Sequence, residues 1–134
     1  MVIHTKKTII MKNILGTQED LNLYNKAGNL VYKFNKNSNG YSREYTYDEN
    51  GNELTYKDSY GYSREHTRDE NGKVLTYKDS DGYSREYTYD ENGNELTYKN
   101  SDGYSHEYTY DENGKVLTYK DSDGEERGFD IPEF

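Results

Sequence analysis

The chain has no cysteine, no tryptophan and a single proline, and each absence excludes a class of protein. Without thiols, neither disulfides nor thiolate metal centres can hold the fold or carry chemistry, which suits a reducing compartment. Long apolar runs are missing as well. Ile9-Ile10-Met11, following Lys6 and Lys7, is too short for a signal-peptide core and far too short to span a membrane. A cytosolic location is therefore expected. Met11 offers a second start, which would make residues 1–10 dispensable, unless they form an ordinary first strand. Aliphatic side chains are scarce: hydrophobic residues make up 30% of the 134, and seventeen residues are Tyr. An ordinary two-layer core cannot be filled from that stock. The length suits one domain and leaves no room for a separate catalytic module.

Charge is plentiful and unevenly placed. Residues 1–40 carry six Lys against Glu19 and Asp20, a net +4, so the remaining residues carry −13 of the total −9. A chain this acidic over most of its length repels nucleic acid. By composition alone it lies near the disordered class. Its polar residues, however, alternate with Tyr and Leu at a strict period of two between turn signals, which is the pattern of β-strands.

The alternation repeats. Four units of 21 residues begin at Tyr41, Tyr62, Tyr83 and Tyr104, the first reading YSREYTYDENGNELTYKDSYG. Each holds two strand-like runs and two turns, so the period marks a tandem β-hairpin array. The first turn contains Asn50-Gly51, the pair suited to a two-residue type I′ loop. That loop places Tyr47 opposite Leu54, Tyr45 opposite Tyr56 and Glu44 opposite Lys57, whereas a three-residue loop puts Tyr47 beside Glu53. The second turn, Asp79-Ser80-Asp81-Gly82, needs an odd loop to keep Tyr77 and Tyr83 on one face; a type I turn closed by a left-handed Gly82 provides it. Tyr77 then faces Arg85, and Leu75 faces Tyr87.

The expected fold is all-β: an elongated, solenoid-like antiparallel meander of about eleven strands, roughly 50 Å across at 4.8 Å per strand. Its parts are an N-terminal segment 1–20, a degenerate capping hairpin 21–40 with Leu21 and Leu23 against Phe34 and Tyr32, repeats 41–61, 62–82, 83–103 and 104–124, and a capping strand 125–134. All belong to one domain. One face gathers Tyr41, Arg43, Tyr45, Tyr47, Leu54 and Tyr56 with their equivalents. The other takes Ser, Glu, Thr and Lys, with Glu53, Val74, Glu95 and Val116. Arg64, Arg85 and Arg127 fall opposite tyrosines of the preceding strand, and His106 takes that place beside Tyr98, so a guanidinium over a ring contributes about 0.5–1 kcal/mol. In the cap, Arg127, Phe129 and Ile131 keep the face pattern, Pro132 stops the strand, and Glu125 and Glu126 discourage edge pairing.

The recurring Tyr-Asp-x-x-Gly, at Tyr47-Asp48-Glu49-Asn50-Gly51 and again from Tyr89 and Tyr110, resembles the YD repeat of Rhs-type proteins. The resemblance covers residues 41–124 well and 24–40 and 125–131 loosely. It departs where Leu54 stands behind Asn52-Glu53 rather than in an Arg-Leu pair after the glycine, and where Arg68 replaces the motif tyrosine. It implies a β-hairpin scaffold with no catalytic residues in the repeats. Long arrays in that family enclose a toxin or build adhesive surfaces, and four units are too few to close a shell. Short polar arrays also resemble proteins of phages and other mobile elements.

Catalysis needs a base, a nucleophile or a metal held in a pocket. His4, His66 and His106 lie in different units, and no Gly-x-Ser-x-Gly elbow occurs. The Asp-Ser-Asp-Gly turns lack the further ligands of a calcium loop. The expectation is a non-enzyme with no cofactor and no metal. As an interaction protein it would present a Tyr/Arg surface to a protein partner: Tyr45, Tyr47, Tyr56, Arg64, His66, Arg68, Tyr77, Arg85, Tyr87, Tyr89, Tyr98, Tyr108 and Tyr110. Tyr and Arg dominate binding hot spots. Within that stripe, His66 and Arg68 make a polar gap, either a specificity determinant or a drifted repeat. An acidic mimic of nucleic acid, such as a phage inhibitor of a host defence nuclease, would use the turn edge: Asp48, Glu49, Asp69, Glu70, Asp90, Glu91, Asp111 and Glu112. A carbohydrate-binding or virion array is a third reading, weakened by the absence of Trp.

Overall fold

A computed structural model describes residues 6–8 and 19–128, and every element in them is a β-strand. The N-terminal strands are β1 (Lys6–Thr8), β2 (Glu19–Tyr24) and β3 (Leu30–Lys36). The repeats supply β4 (Ser42–Tyr47), β5 (Glu53–Asp58), β6 (Ser63–Arg68), β7 (Val74–Asp79), β8 (Ser84–Tyr89), β9 (Glu95–Asn100), β10 (Ser105–Tyr110) and β11 (Val116–Asp121), and β12 (Glu126–Gly128) closes the series. They form one antiparallel sheet in simple sequence order. The eleven expected strands are β2 to β12, and β1 adds a twelfth by pairing Lys7 with Leu23. Phe129, Ile131 and Pro132, expected to finish the cap, lie outside the described residues.

The two kinds of turn turn out to be one kind. In the Asn-Gly turn the Gly51 amide donates to the Asp48 carbonyl at 3.1 Å and Asp48 donates to the Asn52 carbonyl at 2.8 Å. The central residues of the turn are thus Glu49 and Asn50, and Gly51 follows with φ 86°. This is a type I turn with a left-handed closing residue, not the expected type I′. The Asp79 turn repeats the pattern through Gly82, at φ 91°, as expected. In both, the leading aspartate also caps the turn: Asp48 Oδ1 accepts from the amides of Asn50 and Asn52 at 2.9 and 2.8 Å, an Asx-turn arrangement.

A three-residue loop does place Tyr47 opposite Glu53 rather than Leu54. The faces nevertheless stay aligned, because a β-bulge follows at Leu54 and shifts the register by one. Beyond it Tyr45 pairs with Tyr56 and Glu44 with Lys57, as expected. The physical reason is parity. Odd loops alone would send equivalent residues of a 21-residue unit to opposite faces, so each unit needs one parity-changing irregularity. The strand provides it instead of the turn. The bulge recurs between β6 and β7, between β8 and β9, and between β10 and β11.

Cross-strand partners share a face. One side carries Tyr45, Tyr56 and Arg64 in register, then His66, Tyr77 and Arg85, then Tyr87, Tyr98 and His106. The other carries hydroxyl-bonded threonine rungs, Thr46 to Thr55 at 2.6 Å among them, and Glu–Lys pairs such as Glu86 to Lys99 at 3.2 Å. The N-terminal hairpin is inverted. Leu21 and Phe34 continue in register to Glu44, and Leu23 and Tyr32 to Thr46, so its apolar side lies on the Thr/Glu face. Among the described residues only Tyr56 and Tyr77 are buried, each 9% exposed. The sheet is a single layer, stabilised by side chains lying along it rather than by a second sheet.

Candidate interaction surface

The tyrosine face is built from a cluster that recurs once per unit. At its centre lies Tyr56. Across the strand pair Tyr45 meets it edge-on, with ring centroids 5.0 Å apart, and Tyr47 stacks beside Tyr45 at 6.2 Å. From the next strand Arg64 lies over the Tyr56 ring at 4.5 Å. The equivalents are Tyr77 with Arg85 at 4.4 Å and Tyr98 with the His106 ring stacked at 5.0 Å. Arg127 differs: it is in register with Tyr119, but its guanidinium turns to Glu125.

Glu53, Glu95, Val74 and Val116 are not on the polar side, where alternation put them, but in register with Tyr47, Tyr89, Arg68 and Tyr110; the two glutamates show the consequence. The bulge rotates them onto the tyrosine face, where Glu53 binds Arg64 with both carboxylate oxygens, at 2.7 and 3.1 Å, and Glu95 lies 2.5 Å from His106 Nε2. Hydrogen bonding to Glu53 pushes the Arg64 guanidinium above its already high range.

The phenols also bond to one another. The hydroxyls of Tyr41 and Tyr56 are 3.2 Å apart, and those of Tyr62 and Tyr77, Tyr83 and Tyr98, and Tyr104 and Tyr119 repeat the pair. The inner phenol then donates to a turn carboxylate, Tyr77 to Asp79 at 3.0 Å and Tyr119 to Asp121 at 2.9 Å. The bond from the outer tyrosine, together with burial, pushes the Tyr56, Tyr77 and Tyr119 phenols above the ordinary range. Residue selection by sequence missed Tyr41, Tyr62, Tyr83 and Tyr104, and Tyr119 with them. The signal of the first four was present, since each opens a unit immediately after a turn glycine.

In the third and fourth units the motif tyrosine has a specific task. Tyr89 donates to the Val74 carbonyl at 2.9 Å and Tyr110 to the Glu95 carbonyl at 2.6 Å. Both acceptors lie at the bulge of the preceding unit, where the ladder is interrupted. Arg68 performs the same task with different atoms: its Nε donates to the Glu53 carbonyl at 3.1 Å and its Nη1 to the Gly72 carbonyl at 3.0 Å. What reads as a gap in the stripe is a working staple. His66 packs on Tyr77 at 5.2 Å with Nδ1 buried and unbonded. Burial, helped by Arg68, holds its imidazole below the ordinary range.

Among the described residues, the ring hydroxyls of Tyr45, Tyr87 and Tyr108 on this face make no hydrogen bond, nor does that of Tyr47. The first three stand in one row with His66, about 9.6 Å apart at twice the strand separation. The acidic edge is thinner than its sequence suggests. Asp48 and Asp90 each accept turn amides and an Asn side chain, which holds both carboxyls below the usual range. Asp69 and Asp111 cap their turns likewise. That leaves Glu49, Glu70, Glu91 and Glu112, all exposed, to face solvent. The polar face holds a groove of about 690 Å³, lined by Glu44, Lys57, Glu65 and Lys78 among others.

A single-layer sheet whose units are stapled by side-chain bonds to carbonyls of the preceding unit, and whose turns are capped by aspartate, defines a β-hairpin tandem-repeat protein. Residues 68–105 match the family model of the RHS repeat, and the array is Rhs/YD-repeat-like. No curated protein matches the chain.

Proposed function

We propose that the chain is a non-catalytic interaction protein whose tyrosine face engages a protein partner. The observation that supports this best is the row of half-buried rings running across the repeats with no second layer over it among the described residues. Rings fixed by cross-strand stacking and by hydrogen bonds at their rims offer broad contact area at little further loss of entropy. The unpartnered hydroxyls of Tyr45, Tyr87 and Tyr108 add directional contacts that fix register.

The reading as a nucleic-acid mimic has less support. One free glutamate per unit, about 9.6 Å apart, is sparse beside a charge every ~1.7 Å along a duplex. The test is affinity capture from the native host with wild-type protein and with a Tyr45→Ser/Tyr87→Ser/Tyr108→Ser variant. A partner lost from the variant is the expected result, and one retained at full yield rules the reading out.

A further inference from the structure

We propose that Tyr60, Tyr41 and Arg43 form a docking point for an acidic segment of a partner protein that carries a carboxylate beside an aromatic side chain. Tyr60 occupies the turn position held by Asp81, Asp102 and Asp123 in the other units. The turn does not need its side chain, since only the Tyr60 amide bonds Asp58 Oδ1, at 2.9 Å, as the Asp81 amide bonds Asp79 Oδ1 at 3.0 Å. Yet the ring is 85% exposed, the one large hydrophobic side chain so placed among the described residues. It leans on the Tyr41 ring, with centroids 5.0 Å apart and planes tilted by 31°.

Arg43 supplies the second half of the site. Its equivalents are all occupied: Arg64 by Glu53, His106 by Glu95, Arg127 by Glu125, and Arg85 between the rings of Tyr77 and Tyr83. Arg43 is exposed, lies 5.8 Å from the Tyr41 ring centroid and has no carboxylate partner among the described residues. It opens onto a recess of about 250 Å³, shared with Tyr41, Asp20, Asn35, Lys36 and Asn37. The single acid there, Asp20, already accepts from Asn35 Nδ2 at 2.7 Å. Lys36 and Arg43 outnumber it within the recess, and Asp58, in register with Arg43 on the next strand, is already taken by the Tyr41 and Tyr56 hydroxyls and by the amides of its own turn. A free guanidinium fork takes a carboxylate with two parallel bonds, and an aromatic neighbour of that carboxylate can lie against Tyr60.

This inference rests on the interaction reading and narrows it. The probe is the blocked pentapeptide Gly-Glu-Phe-Glu-Gly, followed by amide chemical shifts of the whole protein, with Gln-for-Glu and Ala-for-Phe peptides and a neutral trisaccharide as comparisons. Shifts are expected at Tyr60, Gly61 and Arg43, with binding about fivefold or more weaker for either altered peptide. Tyr60→Asp, which installs the residue of the sister turns and so spares the fold, and Arg43→Gln should each abolish them. No shift at millimolar peptide, equal shifts with the neutral peptide or the saccharide, or shifts that survive Tyr60→Asp would overturn it. In the capture experiment, a partner lost with the triple Tyr variant but kept by Tyr60→Asp overturns this docking point alone; the reverse overturns the wider face and supports it.

Discussion

Arg64 clasps Glu53 across the sheet with two parallel bonds, at 2.7 and 3.1 Å, while the same guanidinium covers the Tyr56 ring at 4.5 Å. In the second unit Val74 stands in place of the glutamate, and Arg85 still covers Tyr77 at 4.4 Å. The ring contact therefore does not depend on the acid. Glu53→Val is expected to cost about 1 kcal/mol or less, shrinking as salt is added. Arg64→Ala also uncovers the ring and should cost about 1–2 kcal/mol. Urea unfolding at low and high salt separates the two.

The staple to the bulge carbonyl makes a second prediction. Tyr110→Phe removes the donor to the Glu95 carbonyl and should cost about 1 kcal/mol. Arg68→Tyr restores the motif residue and should change stability by less than about 0.5 kcal/mol, whereas Arg68→Ala frees two carbonyls and should cost about 1–2 kcal/mol. Chemical denaturation of the three variants checks the order.

The turn assignment is open to a direct comparison. In a type I′ loop both Asn50 and Gly51 would need positive φ, so alanine would be costly at either position. In the observed turn only Gly51, at φ 86°, is left-handed. Gly51→Ala should cost about 1–2 kcal/mol and Asn50→Ala less than about 0.5 kcal/mol. Equal losses, measured as unfolding midpoints, would contradict the structure.

Stability should fall at both ends of the pH scale. The Tyr56, Tyr77 and Tyr119 phenols are raised above the ordinary value of 10.0, so above that pH the unfolded chain releases protons that the fold retains. Stability is then lost as pH rises past 10. On the acid side, the His66 imidazole is held below 6.5, chiefly by burial, so below 6.5 the unfolded chain binds the proton first and stability declines. The lowered carboxyls of Asp48, Asp90 and Asp121 extend that decline below 3.8. A profile of melting temperature against pH should show a plateau near neutrality, and His66→Tyr should remove the limb just below 6.5.

The inverted N-terminal hairpin shows what periodicity leaves open. Leu21, Leu23, Tyr32 and Phe34 alternate as cleanly as the repeat tyrosines, and centring the hairpin on Ala27-Gly28 gives their pairing, which the structure reaches through an Asn25-to-Asn29 turn followed by a register shift. Which side of the sheet they occupy depends on the link to β4, where Phe34 falls opposite Glu44. Alternation within a strand is a local property; the relation between two faces is set by every turn and bulge between them.

From its own residues the chain determined an all-β meander, the side of the repeats that holds the tyrosines, and the left-handed glycines, because period-two alternation and Asp-x-x-Gly turns act over a few neighbouring residues. Its odd repeat length also required one parity change per unit. Only the tertiary structure decided that a bulge at Leu54 makes that change rather than the turn. An even loop and an odd loop with a bulge satisfy the same count, and the difference lies in interactions that no local pattern encodes: the Arg68 and Tyr89 bonds to carbonyls fifteen residues back, and the Glu53 carboxylate brought to Arg64.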